Sequence, residues 1–345
     1  MSAAVFENGW NVAIIVVGLH RSGTSALASA IEAFGFSTGQ PTGLLAPDEH
    51  NRRGYFEQRA IVDLNDEILD HLGGSALEPR VLGEDWHADE FLVASVERIR
   101  LLLGEIFDDA RFVVKDPRIS VLLPLWRAAL DDDVVLAYIS RDPWEVAASL
   151  RSRDGTTLEI GVSTWVQYNQ ALARDMDGAR VHALAYQDLL DDPTACLTEL
   201  YESLVHWGQL AEGLDVAGAA ARLDSSLRRN AAVDISKIDA VLECEVRELN
   251  DAYREWRGRH DEFSTKVART PWWSVALLED RRSGLEMESF LRGEIEAWRA
   301  SFEELDGEYG LVLTRLDQLR SNVFLRFFVA ARRMVRPNRA ERPHD

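Results

Sequence analysis

A glycine-punctuated turn at residues 18–25 carries the clearest chemical pattern in the chain, because it joins an apolar run to an apolar helical pattern. In such a turn consecutive backbone N–H groups can point at one anion, and the following helix adds unpaired N-terminal donors and the positive end of its dipole. Arg21 supplies a cation, whereas Thr24 stands where triphosphate-binding loops have lysine. The turn therefore predicts a donor with one 5′-phosphate and a neighbouring transferable group, and it favours phosphosulfate chemistry.

Arg141 and Ser149 form a second candidate site, which begins at the end of another apolar run. Pro143 predicts the first turn of a helix there, and Ser149 lies about one and two-thirds turns into that helix. An arginine fork and a serine hydroxyl can then bind a single anion. The alternative is an ordinary helix cap beside a surface arginine.

Lys115 and Glu57 are candidates for the reacting end of such a site. Lys115 ends a buried strand-like run and could neutralise a transferring group; the alternative is a pair with its neighbour Asp116. Glu57 follows a loop rich in Gly, Asn and Arg, and a carboxylate there could take a proton from an acceptor hydroxyl. Surface glutamates are common, so a solvated Glu57 is the alternative, and His50 and His20 are rival bases.

These residues together resemble the sulfotransferase family that uses 3′-phosphoadenosine 5′-phosphosulfate, in particular its bacterial and carbohydrate-type branch. The resemblance spans residues 12–230. Residues 21–25 are similar to the family's loop for the 5′-phosphosulfate, and Arg141 with Ser149 is similar to its pair for the 3′-phosphate. Two further segments are similar to recurring ones of the same branch, residues 51–57 and 115–118.

The resemblance implies a role for each candidate residue in an in-line attack of an acceptor oxygen or nitrogen on sulfur. Glu57 is the implied base, and Lys115 and Arg21 are the implied contacts to the moving sulfuryl group. No metal is implied. The implied donor-binding residues are His20, Arg21, Ser22, Gly23, Thr24, Ser25, Arg141 and Ser149.

The sequence departs from the family's pattern at two places. Arg21 stands where the family has lysine, which keeps the charge but changes its geometry. Gln187 stands where an acidic residue is usual. Arg228 and Arg229 align only loosely with a basic segment that closes over the donor in relatives.

The bulk composition predicts a globular protein rather than a disordered or nucleic-acid-binding one. The chain has 345 residues, 46% of them hydrophobic, and a formal net charge of −20. Because a phosphate backbone is held by surplus Lys and Arg, this charge argues against a nucleic-acid partner. The chain has two cysteines, no recognisable targeting segment and no apolar run of about 20 residues, so we expect a cytoplasmic protein.

Four short apolar runs alternate with helical patterns and predict the strands of a parallel sheet that is buried on both faces. They are residues 12–18, 111–115, 134–140 and 181–186. We therefore predict an α/β fold of the P-loop type, with three α/β/α layers, over residues 1–234. Charged residues that follow the strands would meet at one edge of this sheet, where ligands bind in open α/β folds.

Residues 235–345 are predicted to form a helical extension. Apolar residues alternate by four and three positions over residues 238–269 and 286–331, which is the spacing of long heptad helices and predicts either a helical hairpin or the stalk of a homo-oligomer. Residues 320–345 carry seven arginines against two acidic residues, together with several aromatic residues. This basic tail is a candidate for peripheral contact with the inner face of an anionic membrane, or for packing on another subunit or on the acidic body.

The expected reaction is sulfuryl transfer to a carbohydrate, a glycolipid or a surface-polysaccharide precursor. Two alternatives belong to other classes. A catalytically silent scaffold would keep the donor fold and act through its helical extension, although the set Arg21, Arg141 and Ser149 argues against it. A P-loop kinase would bind ATP with magnesium, although the loop lacks the lysine and no strand clearly ends in an aspartate for the metal.

Overall fold

A computed structural model describes the chain at residues 12–47, 54–108, 111–221, 223, 233–236, 238–265 and 270–285. The predicted helix over residues 286–331 and the basic tail lie outside these residues. His50, residues 51–53, Arg228 and Arg229 lie outside them as well. The expectations for these segments stay predictions.

A five-stranded sheet lies at the centre of the described fold, in the order β2-β1-β3-β4-β5. The strands are β1 (Val12–Val17), β2 (Arg111–Lys115), β3 (Val134–Ser140), β4 (Arg180–Ala185) and β5 (Gly258–His260). The first four are parallel, as predicted, whereas β5 lies antiparallel to β4 at the edge. Val16 pairs with Lys115 and Val17 pairs with Tyr138, so the carboxyl ends of three strands lie at one edge.

Helices connect the strands and cover the sheet. In the described residues they are α1 (Thr24–Ala33), α2 (Arg59–His71), α3 (Glu90–Ile106), α4 (Ile119–Ala129), α5 (Pro143–Asp154), α6 (Leu158–Asp175), α7 (Tyr186–Asp191), α8 (Pro193–His206), α9 (Val216–Ala220) and α10 (Ala240–Arg254). Two short 3-10 turns lie at Pro41–Gly43 and Trp86–Ala88, and a further helical stretch begins at residue 272.

The sheet is buried on both faces because successive strand residues point to opposite sides. In β1, Ile15 and Val17 belong to a core that they share with α2 to α6 and α10. Ile14 and Val16 belong to the opposite core, which includes residues of α1, α7, α8 and α9. All four side chains are fully buried. The predicted α/β/α layering is therefore confirmed, with an antiparallel edge strand added.

The predicted single helix over residues 238–269 is wrong. Helix α10 covers only the first part of this range, and Gly258 then begins β5 with a φ of +99°, a left-handed value that favours glycine. The later residues of the seam pack in the core instead: the Trp256 ring lies 4.8 Å from Tyr253 and 5.2 Å from Phe263. The four-and-three spacing marks a buried face that continues through a turn and a strand.

The chain divides into two units after Arg281, and the first unit contains the sheet. The predicted boundary at residue 234 falls inside this unit, because α10 and β5 complete its core. No helix of the described residues is long and apolar enough to cross a lipid bilayer.

We expect Trp256→Ala to lower the free energy of unfolding by about 3–5 kcal/mol, measured by urea denaturation. The reason is that the indole packs against the rings of Tyr138, Tyr253 and Phe263 and leaves a cavity when removed. Trp272→Ala is the control, because Trp272 is 79% exposed and its loss should change stability by no more than about 0.5 kcal/mol. Equal losses in the two variants would place Trp256 outside the core.

Candidate functional site

A cleft opens at the carboxyl edge of the four parallel strands, where open α/β sheets bind ligands. Each strand end contributes to its wall: the turn that follows β1, Lys115 at the end of β2, Arg141 after β3 and Tyr186 after β4. The cleft and its mouth together enclose about 810 Å³. Residues from four different connections therefore meet in one concave site.

The turn after β1 has the geometry of an anion-binding loop. The Ser22 N–H donates to the Leu19 carbonyl oxygen at 3.1 Å, which closes the turn. Arg21 and Gly23 take left-handed φ values of +69° and +98°. Gly23 is also the N-cap of α1, and it has no side chain to occupy the first N–H groups of the helix. These N–H groups lack intrahelical partners and can bind a phosphate oxygen.

Two glycines are required in this turn because other groups approach them closely. A Cβ on Gly18 would lie 2.5 Å from the Ile139 carbonyl oxygen of β3, and a Cβ on Gly23 would lie 2.2 Å from the Tyr186 ring. The Gly18 N–H also donates to the Ser120 hydroxyl at 2.9 Å. The turn is therefore held between the ends of β3 and β4.

Arg21 joins this loop to the second predicted anion site. Its Nε donates to the Ser149 hydroxyl at 2.8 Å, and Arg141 donates from Nη1 to the Arg21 carbonyl oxygen at 3.1 Å. The structure thus brings the three predicted residues together, with Ser149 in contact with Arg21. Two guanidinium groups in one network can bind an anion through charge-assisted hydrogen bonds.

Arg141 is largely buried, in contrast to the surface arginine of the alternative interpretation. Its side chain is 12% exposed, its guanidinium carbon lies 4.8 Å from the Tyr186 ring centroid, and its Nε donates to Glu145 at 2.9 Å. The cap of α5 is Asp142, which accepts from the N–H groups of Trp144 and Glu145. Asp142 therefore caps the helix, and the Arg141 side chain beside it is not needed as a cap.

Lys115 and Glu57 form a buried ion pair in the cleft. The Lys115 ammonium donates to the Glu57 carboxylate. It also donates to the Tyr55 carbonyl oxygen at 3.0 Å and to the Ser25 hydroxyl at 3.3 Å. The two charged side chains are only 3% and 6% exposed. Glu57 is therefore not a solvated surface glutamate.

Asp116, the alternative partner of Lys115, belongs to a different network. Its fully buried carboxylate accepts from Asn65 Nδ2 and Arg118 Nη1, each at 2.9 Å. Asn65 in turn accepts from the Trp126 indole N–H at 3.0 Å. This network fixes the chain just after β2 and occupies the Asp116 carboxylate. The neighbouring Lys115 ammonium therefore pairs with Glu57 instead.

Backbone contacts fix the position of Glu57. The Leu45 N–H donates to the Glu57 carbonyl oxygen at 2.8 Å. The side-chain amide of the next residue, Gln58, donates from Nε2 to the Thr38 carbonyl oxygen at 2.8 Å. Burial raises the pKa of Glu57 above its ordinary value, and the Lys115 ammonium opposes this rise. A fixed carboxylate with a raised pKa in a cleft is suited to act as a general base.

His20 lines the same cleft with a buried imidazole. Its Nε2 atom has no hydrogen-bond partner, and its ring meets Tyr168 edge-on at 6.2 Å. Burial lowers the pKa of His20 well below its ordinary value, and nearby positive charges, foremost Arg118 and Arg153, lower it further. The ring is therefore neutral near pH 7, with one nitrogen able to donate and the other able to accept.

Most of the predicted donor-binding residues lie on the cleft wall. These are His20, Arg21, Gly23, Thr24, Ser25 and Arg141. Ser22 is buried and closes the turn through its N–H, and Ser149 contacts the cleft through Arg21. Among the residues that the structure describes, no group of three or more His, Cys, Asp or Glu side chains is arranged to hold a metal ion.

Several residues of the cleft wall were not among the predicted site residues, and Tyr55, Tyr186 and Arg153 are three of them. Tyr186 follows β4 just as Arg141 follows β3. Its place directly after a strand could therefore have indicated it as a site residue. Arg153 lies four residues after Ser149 on α5, a spacing that places both on one helix face. Tyr55 contributes a backbone carbonyl oxygen to Lys115, and no side-chain pattern indicates such a contact.

No protein-family model and no curated protein matches the chain, but several solved structures are similar to it. The sulfotransferase domain from the curacin biosynthetic pathway is 17% identical with a TM-score of 0.38, over 70% of this chain and 98% of that one. The sulfotransferase STF1 from Mycobacterium tuberculosis H37Rv is 22% identical with a TM-score of 0.39, over 62% and 72%. A retinol dehydratase in complex with retinol and PAP is 15% identical with a TM-score of 0.32, over 80% of each chain. These similarities are distant.

We expect Gly23→Ala to weaken the binding of 3′-phosphoadenosine 5′-phosphate by about tenfold or more, because the new Cβ displaces the loop N–H groups or the Tyr186 ring. Calorimetric titration measures the affinity. Gly35→Ala is the matched control, since Gly35 follows the same helix with a φ of +94° and has open space around its Cβ position. An equal loss in both variants, or none in Gly23→Ala, would contradict the anion-binding assignment.

Proposed function

We propose that the protein is a sulfotransferase that moves a sulfuryl group from 3′-phosphoadenosine 5′-phosphosulfate to a hydroxyl or amine acceptor. One observation carries the proposal: the buried Lys115–Glu57 pair and the network of Arg21, Ser149 and Arg141 converge on the same cleft. Sulfuryl transfer needs cations for an anionic donor and a base for a neutral acceptor, and both lie here.

The described residues fit a donor that carries two anionic groups. No side chain caps the first N–H groups of α1, because Gly23 is its N-cap, and Arg141 is already oriented by Tyr186. Following the family resemblance, the loop and Arg21 would hold the 5′-phosphosulfate, and Arg141 with Ser149 would hold the 3′-phosphate. The bound donor would supply the activated sulfuryl group.

Glu57 and Lys115 would act at the reacting end of the cleft. Glu57 would take the acceptor proton as the acceptor oxygen or nitrogen bonds to sulfur and the bond between sulfur and the phosphate oxygen breaks. Protonation of Glu57 removes its negative charge, so the Lys115 ammonium then becomes free to stabilise the sulfuryl oxygens. Arg21 and the loop N–H groups would stabilise the negative charge on the leaving bisphosphate.

We further propose a carbohydrate, a glycolipid or a surface-polysaccharide precursor as the acceptor, following the branch that the motifs resemble. A cytoplasmic location is part of this proposal, with contact of the basic tail at the inner face of the membrane. Self-association through the heptad segment over residues 286–331 also stays a proposal.

Two other functions make different predictions about ligand binding. A P-loop kinase would bind ATP with magnesium, but Thr24 is buried at the position where that chemistry needs a lysine. A silent scaffold would need neither donor nor base, but the cleft holds a buried ion pair whose desolvation is costly. Direct titration with nucleotides separates the kinase from the sulfotransferase, and donor binding without turnover would favour the scaffold.

Calorimetric titration should show that the full chain binds 3′-phosphoadenosine 5′-phosphate in preference to ATP with magnesium. Arg141→Ala should weaken this binding by about ten- to a hundredfold, because a charge-assisted contact is lost. Arg141→Lys keeps the charge without the planar fork, so it should recover only part of the affinity. Preference for ATP would favour the kinase, and binding of neither nucleotide would favour the scaffold.

Glu57→Gln should lower the turnover number by about a hundredfold or more while leaving bisphosphate affinity nearly unchanged. Because burial raises the pKa of Glu57, its ionised form is lost at a higher pH than that of an ordinary carboxylate. We therefore expect kcat/KM to rise with pH along an acid limb that lies above about pH 4.3.

The assay would follow radiolabelled sulfuryl transfer to a panel of sugars and phenols. The Glu57→Gln variant should lose the acid limb of the wild type. Glu67→Gln is the control, since Glu67 pairs with Arg98 at the surface, away from the cleft. Near-normal turnover in Glu57→Gln would exclude Glu57 as the base.

A further inference from the structure

Ser120 is a fully buried serine that holds the start of the turn after β1. Its hydroxyl accepts a hydrogen bond from the Gly18 N–H at 2.9 Å and donates one to the Gly18 carbonyl oxygen at 3.2 Å. Gly18 is the first residue after β1, and its φ of +146° lies in the region that favours glycine. One hydroxyl therefore fixes the peptide groups on both sides of the Gly18 α-carbon.

A short hydrogen-bonded segment connects Ser120 to Lys115. Lys115 ends β2, and Ser120 lies five residues later, in the first turn of α4. Between them, the Ile119 N–H donates to the Asp116 carbonyl oxygen at 3.0 Å. The Ser120 N–H donates to the Pro117 carbonyl oxygen at the same distance. These bonds give the Ser120 hydroxyl a fixed position relative to the strand end that carries Lys115.

Ser120 can act on a bound anion only through the turn, because it is not among the described residues of the cleft wall. Val16 of β1 pairs with Lys115 of β2, so the turn begins at the same edge of the sheet as the Lys115 side chain. Arg141 also holds the turn, at the Arg21 carbonyl oxygen, but Arg141 lies on the cleft wall and is itself assigned to the donor. Ser120 supports the turn from behind the site.

We propose that Ser120 is a positioning residue that holds the N–H groups of the turn in place for the 5′-phosphosulfate, in register with Lys115. This inference rests on the proposed function, which assigns the turn to that group. Without the hydroxyl, the buried Gly18 N–H and carbonyl groups lose their partner, and unpaired buried polar groups cost free energy. The turn then shifts to recover a partner, and its N–H groups no longer point at one anion.

Calorimetric titration of the full chain with 3′-phosphoadenosine 5′-phosphate tests this role. Ser120→Ala should bind the bisphosphate about tenfold or more weakly than the wild type. Ser95→Ala is the matched control, because Ser95 is also fully buried but its hydroxyl donates to the Phe91 carbonyl oxygen of its own helix at 2.8 Å. This control loses a buried hydroxyl too, which urea denaturation would register, and it should keep the wild-type affinity.

Two mononucleotides show at which end of the donor the affinity is lost. Adenosine 5′-phosphate carries the phosphate that is assigned to the turn, and adenosine 3′-phosphate carries the one that is assigned to Arg141 and Ser149. In competition with the bisphosphate, Ser120→Ala should weaken the first by about tenfold and change the second by less than about twofold. A general loosening of the fold would weaken both alike.

Ser120→Cys keeps a side chain of similar size with a weak donor and a weak acceptor, so it should retain part of the affinity. This variant also tests the inference if Ser120→Ala does not fold, which circular dichroism would show. In that case, wild-type affinity in Ser120→Cys would contradict a role for the hydroxyl.

Three further results would overturn the inference. These are wild-type affinity for the bisphosphate in Ser120→Ala, an equal loss of affinity in Ser95→Ala, and an equal loss for both mononucleotides in Ser120→Ala. If the wild type fails to bind the bisphosphate at all, the proposed sulfotransferase function is itself wrong, and the role of Ser120 falls with it.

Discussion

A buried ammonium must be paired, because an isolated charge removed from water costs on the order of several kcal/mol. Lys115 satisfies this requirement with groups from two other segments: the Glu57 carboxylate and Tyr55 carbonyl oxygen before α2, and the Ser25 hydroxyl in the first turn of α1. The pairing of this charge therefore brings three segments into contact: the end of β2, the loop before α2 and the start of α1. The position of the proposed base follows from the pairing of this charge.

The narrow space around the turn after β1 adds a second constraint. A side chain at Gly18 would meet β3, and one at Gly23 would meet the Tyr186 ring. Because Tyr186 also lies under the Arg141 guanidinium, the loop and the cation after β3 share one support. An anion that binds the loop would meet an arginine that is already positioned. Such preorganisation lowers the conformational entropy that binding must remove.

The strands could be predicted because a buried parallel strand is a short, local apolar run, and Lys115 was found as a charged residue at the end of one. Its partner could not be predicted. The sequence offers the adjacent Asp116, whereas Glu57 lies 58 residues away and is brought close only by the fold. The prediction of a helix over residues 238–269 failed for a similar reason. The apolar spacing indicates that Trp256 is buried, but a turn and a strand can bury this residue as well as a helix can.

Charge is distributed unevenly over this molecule. The formal net charge is −20, yet Arg21, Lys115, Arg141 and Arg153 line one cleft in which Glu57 is the sole acidic residue of the described wall. An acidic exterior repels an extended polyanion such as nucleic acid, whereas a small anion that enters the cleft meets cations where water screens them less. Selection of small anions therefore requires both the acidic surface and the basic cleft.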